Sequence, residues 1–164
     1  MDFIKSFTDE QYAGALETWA WLDLAGKKPI LATMFGHVFL AADDGFWLLD
    51  PIAGTLTHRW TDQEHLQTDL DRPEVQDELL IDLADAALQR GLAPGADEIV
   101  DFATPPVLGG AVEPGNLQVM DFVVAINLAG QIHAQTTGLA DGTPVTVAVQ
   151  EEPKRRGLFG RRKG

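Results

Sequence analysis

Cysteine is absent from the 164 residues of this chain, which excludes disulfides and thiolate metal sites. Serine occurs once, at Ser6, so no Gly-x-Ser-x-Gly nucleophile motif exists. The glycine motifs that bind phosphates or dinucleotides are also missing. None of the four histidines has the spacing of a metal site: His37, His58, His65 and His133. We therefore predict no catalytic residue, no metal and no cofactor.

Long apolar runs are lacking as well. The most apolar stretch, residues 122–132, is too short to cross a bilayer and contains Asn127. The first residues do not combine a basic segment with a following apolar segment, so they do not resemble a signal peptide. Together these features predict a cytoplasmic protein.

Basic residues are scarce, and the formal net charge is −13. Six of the twelve basic residues lie in 154–164, which leaves six against 25 acidic residues elsewhere. Such a body repels nucleic acid and anionic membranes, and it attracts a basic protein partner. We expect a single domain over 1–152 and a disordered basic tail over 153–164. Anionic surfaces and the acidic body itself are the alternative contacts of this tail.

A helix is predicted near the start of the chain. Thr8 and Gln11 have the spacing of a capping box, and the helix is expected to run to about Leu24 and stop near Gly26. Trp21 lies on the face opposite the main apolar stripe. This tryptophan is either buried in a helix that is sandwiched within the core or offered to a partner. Burial is favoured because large apolar side chains are usually inside.

An antiparallel β-meander is predicted to follow. Asp44-Gly45 separates two apolar runs and indicates a hairpin turn. Short apolar segments bounded by glycine, proline and aspartate indicate four strands: Ile30–Met34, His37–Ala41, Phe46–Leu49 and Thr55–Trp60.

Two helices are predicted after the meander. Thr61 and Glu64 resemble a second capping box, which opens a helix to about Leu70. Pro73 suits the first position of another helix, which is expected to run through Arg90. The acidic residues of this second helix are spaced to project along one side, with no basic residue four positions on until its end. These residues are Glu74, Glu78, Asp82 and Asp85. They form either a solvated face of the helix or a docking face for a basic partner.

The segment after residue 96 is harder to assign. A strand is predicted over 97–102, but 117–136 combines strand-like alternation with helical length. We favour a helix with Asn116 as its cap, followed by a closing strand over 145–149. The predicted fold class is α+β. It comprises an antiparallel β-meander with an N-terminal helix, a central helical pair and a C-terminal helix packed against the sheet.

Several runs of residues resemble a bacterial family of poorly characterised domains. They are Phe35–Phe39, Asp44–Asp50, Pro106–Gly110, Asn116 and Gly130–Gln135. This family includes the C-terminal domain of type VI secretion immunity proteins, which neutralise a DNase effector before it harms the producing cell. The resemblance extends from the first helix to about Val149. The signature positions that it implies are Gly109, Gly110, Asn116, Gln131, His133 and Gln135.

These signature positions have two interpretations. In the structural one, the glycines allow a tight chain path, Asn116 caps the helix, and Gln131 and His133 bind a neighbouring loop. In the functional one, His133 marks a pocket.

The predicted function is a binding protein of the immunity type. Its acidic side chains, with Trp21 as an anchor, would occlude a basic partner such as a nuclease toxin. The alternatives are a small-ligand-binding or enzymatic domain with a pocket formed by His133, Gln131 and the Gly109-Gly110 loop, and a general interaction module targeted by its tail.

Overall fold

The computed structural model of the chain describes residues 3–137. The predicted closing strand at 145–149 and the predicted basic tail at 153–164 lie outside these residues. Among the described residues, no helix has the length and apolar character needed to span a bilayer.

The antiparallel β-meander is confirmed, with one strand more than expected. Its five strands follow one another in chain order across the sheet. The predicted hairpin is present, because Ala42 pairs with Gly45 around Asp43 and Asp44. Gly45 has φ of +123°, and a Cβ there would overlap the Trp60 carbonyl oxygen, so only glycine fits this turn. The strands are β1 (Ile4–Lys5), β2 (Lys28–Thr33), β3 (Val38–Ala42), β4 (Gly45–Asp50) and β5 (Thr55–Trp60).

The first helix is shorter than predicted. Helix α1 (Asp9–Leu16) begins with the expected capping box of Thr8 and Gln11, but a 3₁₀ turn (Glu17–Trp19) ends it well before Leu24. Long-range bonds fix this turn. The Thr18 hydroxyl donates to the Asn127 carbonyl at 2.7 Å, and Trp19 Nε1 donates to the Ile126 carbonyl at 2.9 Å. Bonds to residues so distant in the sequence cannot be predicted from the periodicity of one segment.

The expectation that Trp21 is buried between two layers is wrong. Its side chain is 37% exposed and stacks on the buried Trp19 ring at 5.7 Å between ring centroids. The predicted burial assumed that the helix continues through residue 21 and has apolar side chains on two faces. Because the helix ends before Trp21, this arrangement does not form. Trp21 therefore presents one side of its ring to solvent.

The central region contains three helices, where two were predicted. They are α2 (Gln63–Leu70), α3 (Pro73–Glu78) and α4 (Ile81–Gln89). Asp62 caps α2, where Thr61 was expected, because its side chain accepts from the His65 N–H. Pro73 opens α3 as predicted.

Leu80 divides the predicted second helix, with a left-handed φ of +63°. Two apolar clusters explain this break. Val75 and Leu79 pack with Trp60 in one cluster, whereas Ala84 and Ala87 pack with Phe35 and Phe102 in another. A straight helix cannot direct its apolar side chains into both clusters, so the chain turns between them.

The segment 117–136 is a strand followed by a helix. Strand β6 (Glu98–Phe102) pairs antiparallel with β7 (Leu117–Asp121), and α5 (Phe122–Thr136) follows at once. Asp121 caps α5 by accepting from the Val124 N–H at 3.1 Å, so the predicted cap at Asn116 is wrong. The alternation of 117–121 reflects pairing with β6, a partner that lies far away in the sequence.

Helix α5 packs against both α1 and the sheet, which confirms the predicted α+β class with a C-terminal helix on the sheet. Ala125 and Ile126 of α5 share one core cluster with Tyr12 of α1 and Leu40 of the sheet. The β6–β7 pair is held beside this helix, where the Phe122 N–H donates to the Asp97 carbonyl at 2.8 Å. Helix α1, the β6–β7 pair and the meander thus all contact α5.

Candidate functional site

A cavity of about 250 Å³ lies where α5, the β6–β7 pair and the turn after β4 meet. Its walls are mainly apolar, from residues such as Ile126 and Ile132 of α5 and Met120 of β7. Three polar side chains also line it: Asp101, Gln118 and His133. An apolar cavity with few convergent polar groups is the usual form of a binding site.

Asp101 and Gln118 form the polar end of the cavity. They are directly opposite each other in the β6–β7 register, so their side chains share one face of the pair. Gln118 Nε2 donates to Met120 Sδ at 3.6 Å, and because sulfur is a weak acceptor the amide keeps most of its hydrogen-bonding capacity.

Burial raises the pKa of Asp101 to about 6, against the opposing effect of the Phe102 backbone N–H. Among residues 3–137, no side chain forms a hydrogen bond or ion pair with this carboxyl group. At neutral pH the cavity therefore contains a carboxylate that none of the described side chains neutralises. Such a group is a recognised marker of a functional position.

His133 forms part of the wall and connects α5 to the turn after β4. Its Nε2–H donates to the Pro51 carbonyl at 2.9 Å. Its ring lies tilted against Trp19 at 5.7 Å and so close to Gly54 that a Cβ there would overlap it. Burial lowers the pKa of His133, although the carbonyls of Pro51 and Ile52 oppose this, so the ring is neutral at pH 7. The Nε2 proton is thus engaged by the Pro51 carbonyl in a hydrogen bond that holds the turn against α5.

The loop over residues 103–116, here called the rim loop, closes one side of the cavity through Pro105, Pro106 and Val107. Asn116 clamps it: Nδ2 donates to the carbonyls of Thr104 and Ala111 at 2.8 and 2.9 Å, and Oδ1 accepts from the Thr104 N–H at 2.9 Å. Asn116 is thus a loop clamp, where a helix cap was expected.

Two glycines permit this loop geometry. Gly109 has a left-handed φ of +98°. A Cβ on Gly110 would overlap the Thr104 carbonyl oxygen. Gly109 thus has a backbone conformation that favours glycine, and Gly110 lies where a side chain does not fit.

We predict that Gly110→Ala loosens the rim loop and lowers the free energy of unfolding by about 1–2 kcal/mol, because the new methyl group must displace backbone. Gly115→Ala in the same loop is the control, since its Cβ would come no nearer than 3.8 Å to another atom. Urea denaturation measures both variants. Equal stability of Gly110→Ala and Gly115→Ala would contradict the prediction.

The remaining signature residues face another part of the fold. Gln131 Nε2 donates to Asn127 Oδ1 at 2.9 Å, and Asn127 Nδ2 in turn donates to the Gly14 carbonyl of α1 at 2.9 Å. Gln135 Nε2 donates to the Gln131 carbonyl at 3.2 Å. The structure therefore brings His133 and the rim loop together at the cavity, while Gln131 takes part in the contact between α5 and α1.

The acidic side chains predicted to bind a partner are all exposed, but they do not form one helical stripe. Glu74 and Glu78 belong to α3, whereas Asp82 and Asp85 belong to α4 beyond the break at Leu80. The single-helix geometry expected for them is wrong. Trp21 belongs to the layer of α1 and α5, so it is not part of the same element as these acids.

The chain's own arginines engage two of the four acids. Arg59 binds both carboxylate oxygens of Glu78, at 2.7 and 3.0 Å. Arg72 Nε lies 3.8 Å from Glu74. Within the described residues, Asp82 and Asp85 have no ion pair, so their charges are the least compensated of the set.

A buried polar line in the meander went unrecognised in the sequence. Thr33 Oγ1 lies 2.8 Å from His37 Nδ1, and His37 Nε2 lies 3.8 Å from Asp50 Oδ1. The order of hydroxyl, imidazole and carboxylate resembles a nucleophile with its base. Thr33 and His37 are each only 1% exposed, so a substrate has no access to them and their role is structural. Burial lowers the pKa of His37, although Asp50 opposes this.

Asp101 and Gln118 were also missed. The available signal was an acid between two large apolar residues, Val100 and Phe102, within a strand. In a chain with 25 acidic residues this signal is weak. In the part of the chain that is described, no group of three or more potential ligand side chains is placed to hold a metal ion.

Comparison with known proteins gives one family match. Residues 62–133 match the family model described as "T6SS immunity protein Tdi1, C-terminal", which confirms the resemblance over this stretch. The matched residues contain α2 to α4, the β6–β7 pair, the rim loop and α5 as far as His133. They thus include both the acidic helices and most of the cavity.

A solved structure shares the fold. The crystal structure of Atu4351 from Agrobacterium tumefaciens superposes with a TM-score of 0.55 at 14% identity, over 79% of this chain and 67% of that chain. No curated protein matches the sequence.

Proposed function

Because residues 62–133 match the C-terminal domain of type VI secretion immunity proteins, we propose that this chain is an immunity-type inhibitor. It acts by binding an effector protein in the cytoplasm of the producing cell and blocking it, without chemistry of its own. The family match is the observation that carries this proposal.

The acidic helices indicate what kind of partner such an inhibitor binds. Residues 62–85 contain nine acidic side chains and a single basic one, Arg72. A surface of this charge accelerates encounter with a basic protein and repels nucleic acid. A basic nuclease fits this description, because its phosphate-binding groups are the ones that an acidic inhibitor would cover. Trp21, exposed on the α1 side, is proposed as a second contact.

The direct test pairs this chain with a secreted nuclease effector of type VI systems as the candidate partner. The effector is expressed with and without the chain, and its activity and the complex are measured at low and at high salt. We expect a stable complex, loss of effector activity, and weaker binding as salt increases. Full effector activity in the presence of excess folded chain would contradict the proposal.

We predict that the double reversal Asp82→Lys with Asp85→Lys lowers the association rate at least tenfold at low salt, with little change in the dissociation rate. These two carboxylates are exposed and lack ion pairs within the described residues, so their reversal does not break the Arg59–Glu78 contact. Stopped-flow measurement of association detects the change.

The control is Glu17→Lys with Asp43→Lys, which alters the net charge equally at exposed positions outside residues 62–133. Circular dichroism verifies that both double variants remain folded. If the two double variants slow association equally, the effect belongs to net charge, and the acidic helices are not the docking surface.

A further inference from the structure

We propose that the cavity beside α5 is an anchor pocket for one basic side chain of the partner protein. In this arrangement the aliphatic stem lies along the apolar wall, and the amine or guanidinium meets Asp101 and Gln118. The inference rests on the proposed function, since it names how the partner is held.

The polar end of the cavity has the chemistry of a cation site. Asp101 offers a carboxylate, and Gln118 opposite it offers an amide oxygen, which together suit the several N–H donors of one cationic head. The cations of the described chain are engaged elsewhere or lie outside the cavity lining; Arg59, for example, binds Glu78. Among residues 3–137, therefore, no positive charge lines the cavity to match Asp101.

The walls suit the rest of such a side chain. Ile126, Ala129 and Ile132 line the cavity from α5, and an aliphatic stem packs well on such a surface. At about 250 Å³ the volume is below the roughly 300 Å³ at which pockets for drug-sized ligands begin. One long side chain is therefore a better match than a larger free ligand.

The rim loop favours a protein as the source of this cation. Val107, Leu108 and Val112 are exposed on this loop, and they are three of the five large exposed apolar residues in 3–137. A free amine in the cavity would leave these side chains in water, whereas a protein surface would cover them. Capture of a partner side chain thus accounts for both the cavity and its apolar rim.

The ionisation of Asp101 connects occupancy to pH. Burial favours the neutral acid in the empty cavity, and its pKa of about 6 leaves it ionised at pH 7.5 and largely protonated at pH 5. A cation in the cavity stabilises the ionised form. Affinity is therefore expected to fall roughly tenfold from pH 7.5 to pH 5. His133 is the other titratable side chain among the described lining residues; burial lowers its pKa, and any proton it gains on acidification would repel a cation and add to this fall.

The first experiment tests the cavity without any effector. The isotopically labelled full chain is titrated with n-butylguanidinium, and with 1-butanol as the uncharged mimic, while NMR signals of Met120, Ala125 and Ile132 are followed. We expect n-butylguanidinium to bind at least tenfold more tightly than 1-butanol at pH 7.5, and Asp101→Asn to remove this preference. Equal binding of the two mimics, or an unaltered preference in Asp101→Asn, would overturn the proposal.

The second experiment uses the effector. Asp101→Asn is expected to weaken the complex at least tenfold, whereas Asp43→Asn, an exposed acid in the turn between β3 and β4 that does not line the cavity, is expected to leave it unchanged. Unaltered binding by Asp101→Asn would overturn the anchor pocket and leave the immunity function standing. If the unmodified chain fails to bind the effector, the proposed function is wrong. The proposal that a partner protein supplies the basic side chain is then wrong as well. The mimic titration then still decides whether the cavity selects cations.

Discussion

Replacing Trp60 with alanine is expected to lower the free energy of unfolding by about 3–5 kcal/mol, the usual cost of removing a large buried aromatic side chain. Trp60 is fully buried at the end of β5. Its ring packs on Phe39 at 5.7 Å, and its Nε1 donates to Asp69 Oδ2 at 2.9 Å. The side chain thus joins the sheet to α2, and its loss creates a cavity and leaves Asp69 without this donor.

Trp21→Ala is the matched control for this prediction. Its side chain is 37% exposed, so truncation is expected to cost about 1 kcal/mol or less. Equilibrium denaturation followed by circular dichroism compares the two variants. Equal losses would show that Trp60 does not connect the sheet to the acidic helices as the structure indicates. In a binding assay the order reverses if Trp21 contacts the partner, since folded Trp21→Ala would then bind more weakly.

Asp101→Asn is expected to stabilise the folded chain by about 1–3 kcal/mol at pH 7.5, because each unit of pKa shift corresponds to about 1.4 kcal/mol and partial exposure reduces the effect. The pKa of about 6 lies above the value of about 3.9 expected in the unfolded chain. The folded state therefore binds more protons between these values. Stability from Asp101 is full below about pH 4 and is lost as the pH rises through about 6.

Asparagine has nearly the same shape as aspartic acid but never ionises, so its advantage is expected to grow between about pH 4 and pH 6 and to be full above pH 6. The measurement is the difference in unfolding free energy between Asp101→Asn and the unmodified chain from pH 4 to pH 8. Asp85→Asn, at an exposed position, is the control and should show little difference across this range. A constant difference for Asp101→Asn over the whole range would show that its carboxyl is not destabilised by burial.

A stabilising effect of Asp101→Asn would connect stability to recognition. Natural proteins retain destabilising charged groups mainly where function uses them. Asp101→Asn is expected to be more stable at pH 7.5, to lose its preference for n-butylguanidinium over 1-butanol, and to bind the effector more weakly. Opposite effects on stability and binding from one substitution would be hard to explain by a general structural role.

Features that depend on near neighbours could be predicted from the sequence. The Thr8–Gln11 capping box, the Asp44-Gly45 hairpin and the start of α3 at Pro73 were all found at the expected residues. Each of these depends on the conformational preference of a residue or on a bond spanning three positions. The four strands of the meander followed from the same kind of local pattern.

Where distant segments decide the structure, the predictions were wrong. The break at Leu80 arises because two core clusters lie in different directions, and strand β7 exists because β6 is available to pair with it. The end of α1 follows from bonds to carbonyls of α5, more than a hundred residues away. Periodicity within a segment contains no information about these partners.

The residues of the candidate site also fall into those that the sequence indicated and those that only the structure revealed. The resemblance indicated His133 and the rim glycines in advance, but Asp101 could not be distinguished from the other acids of so acidic a chain. The sequence by itself determined the α+β class, the meander, the excess of negative charge and the resemblance to immunity domains. Only the tertiary structure decided which carboxylate lies in an apolar cavity and which acids remain uncompensated. Burial and pairing depend on what surrounds a residue in space, and folding brings those surroundings from distant parts of the chain.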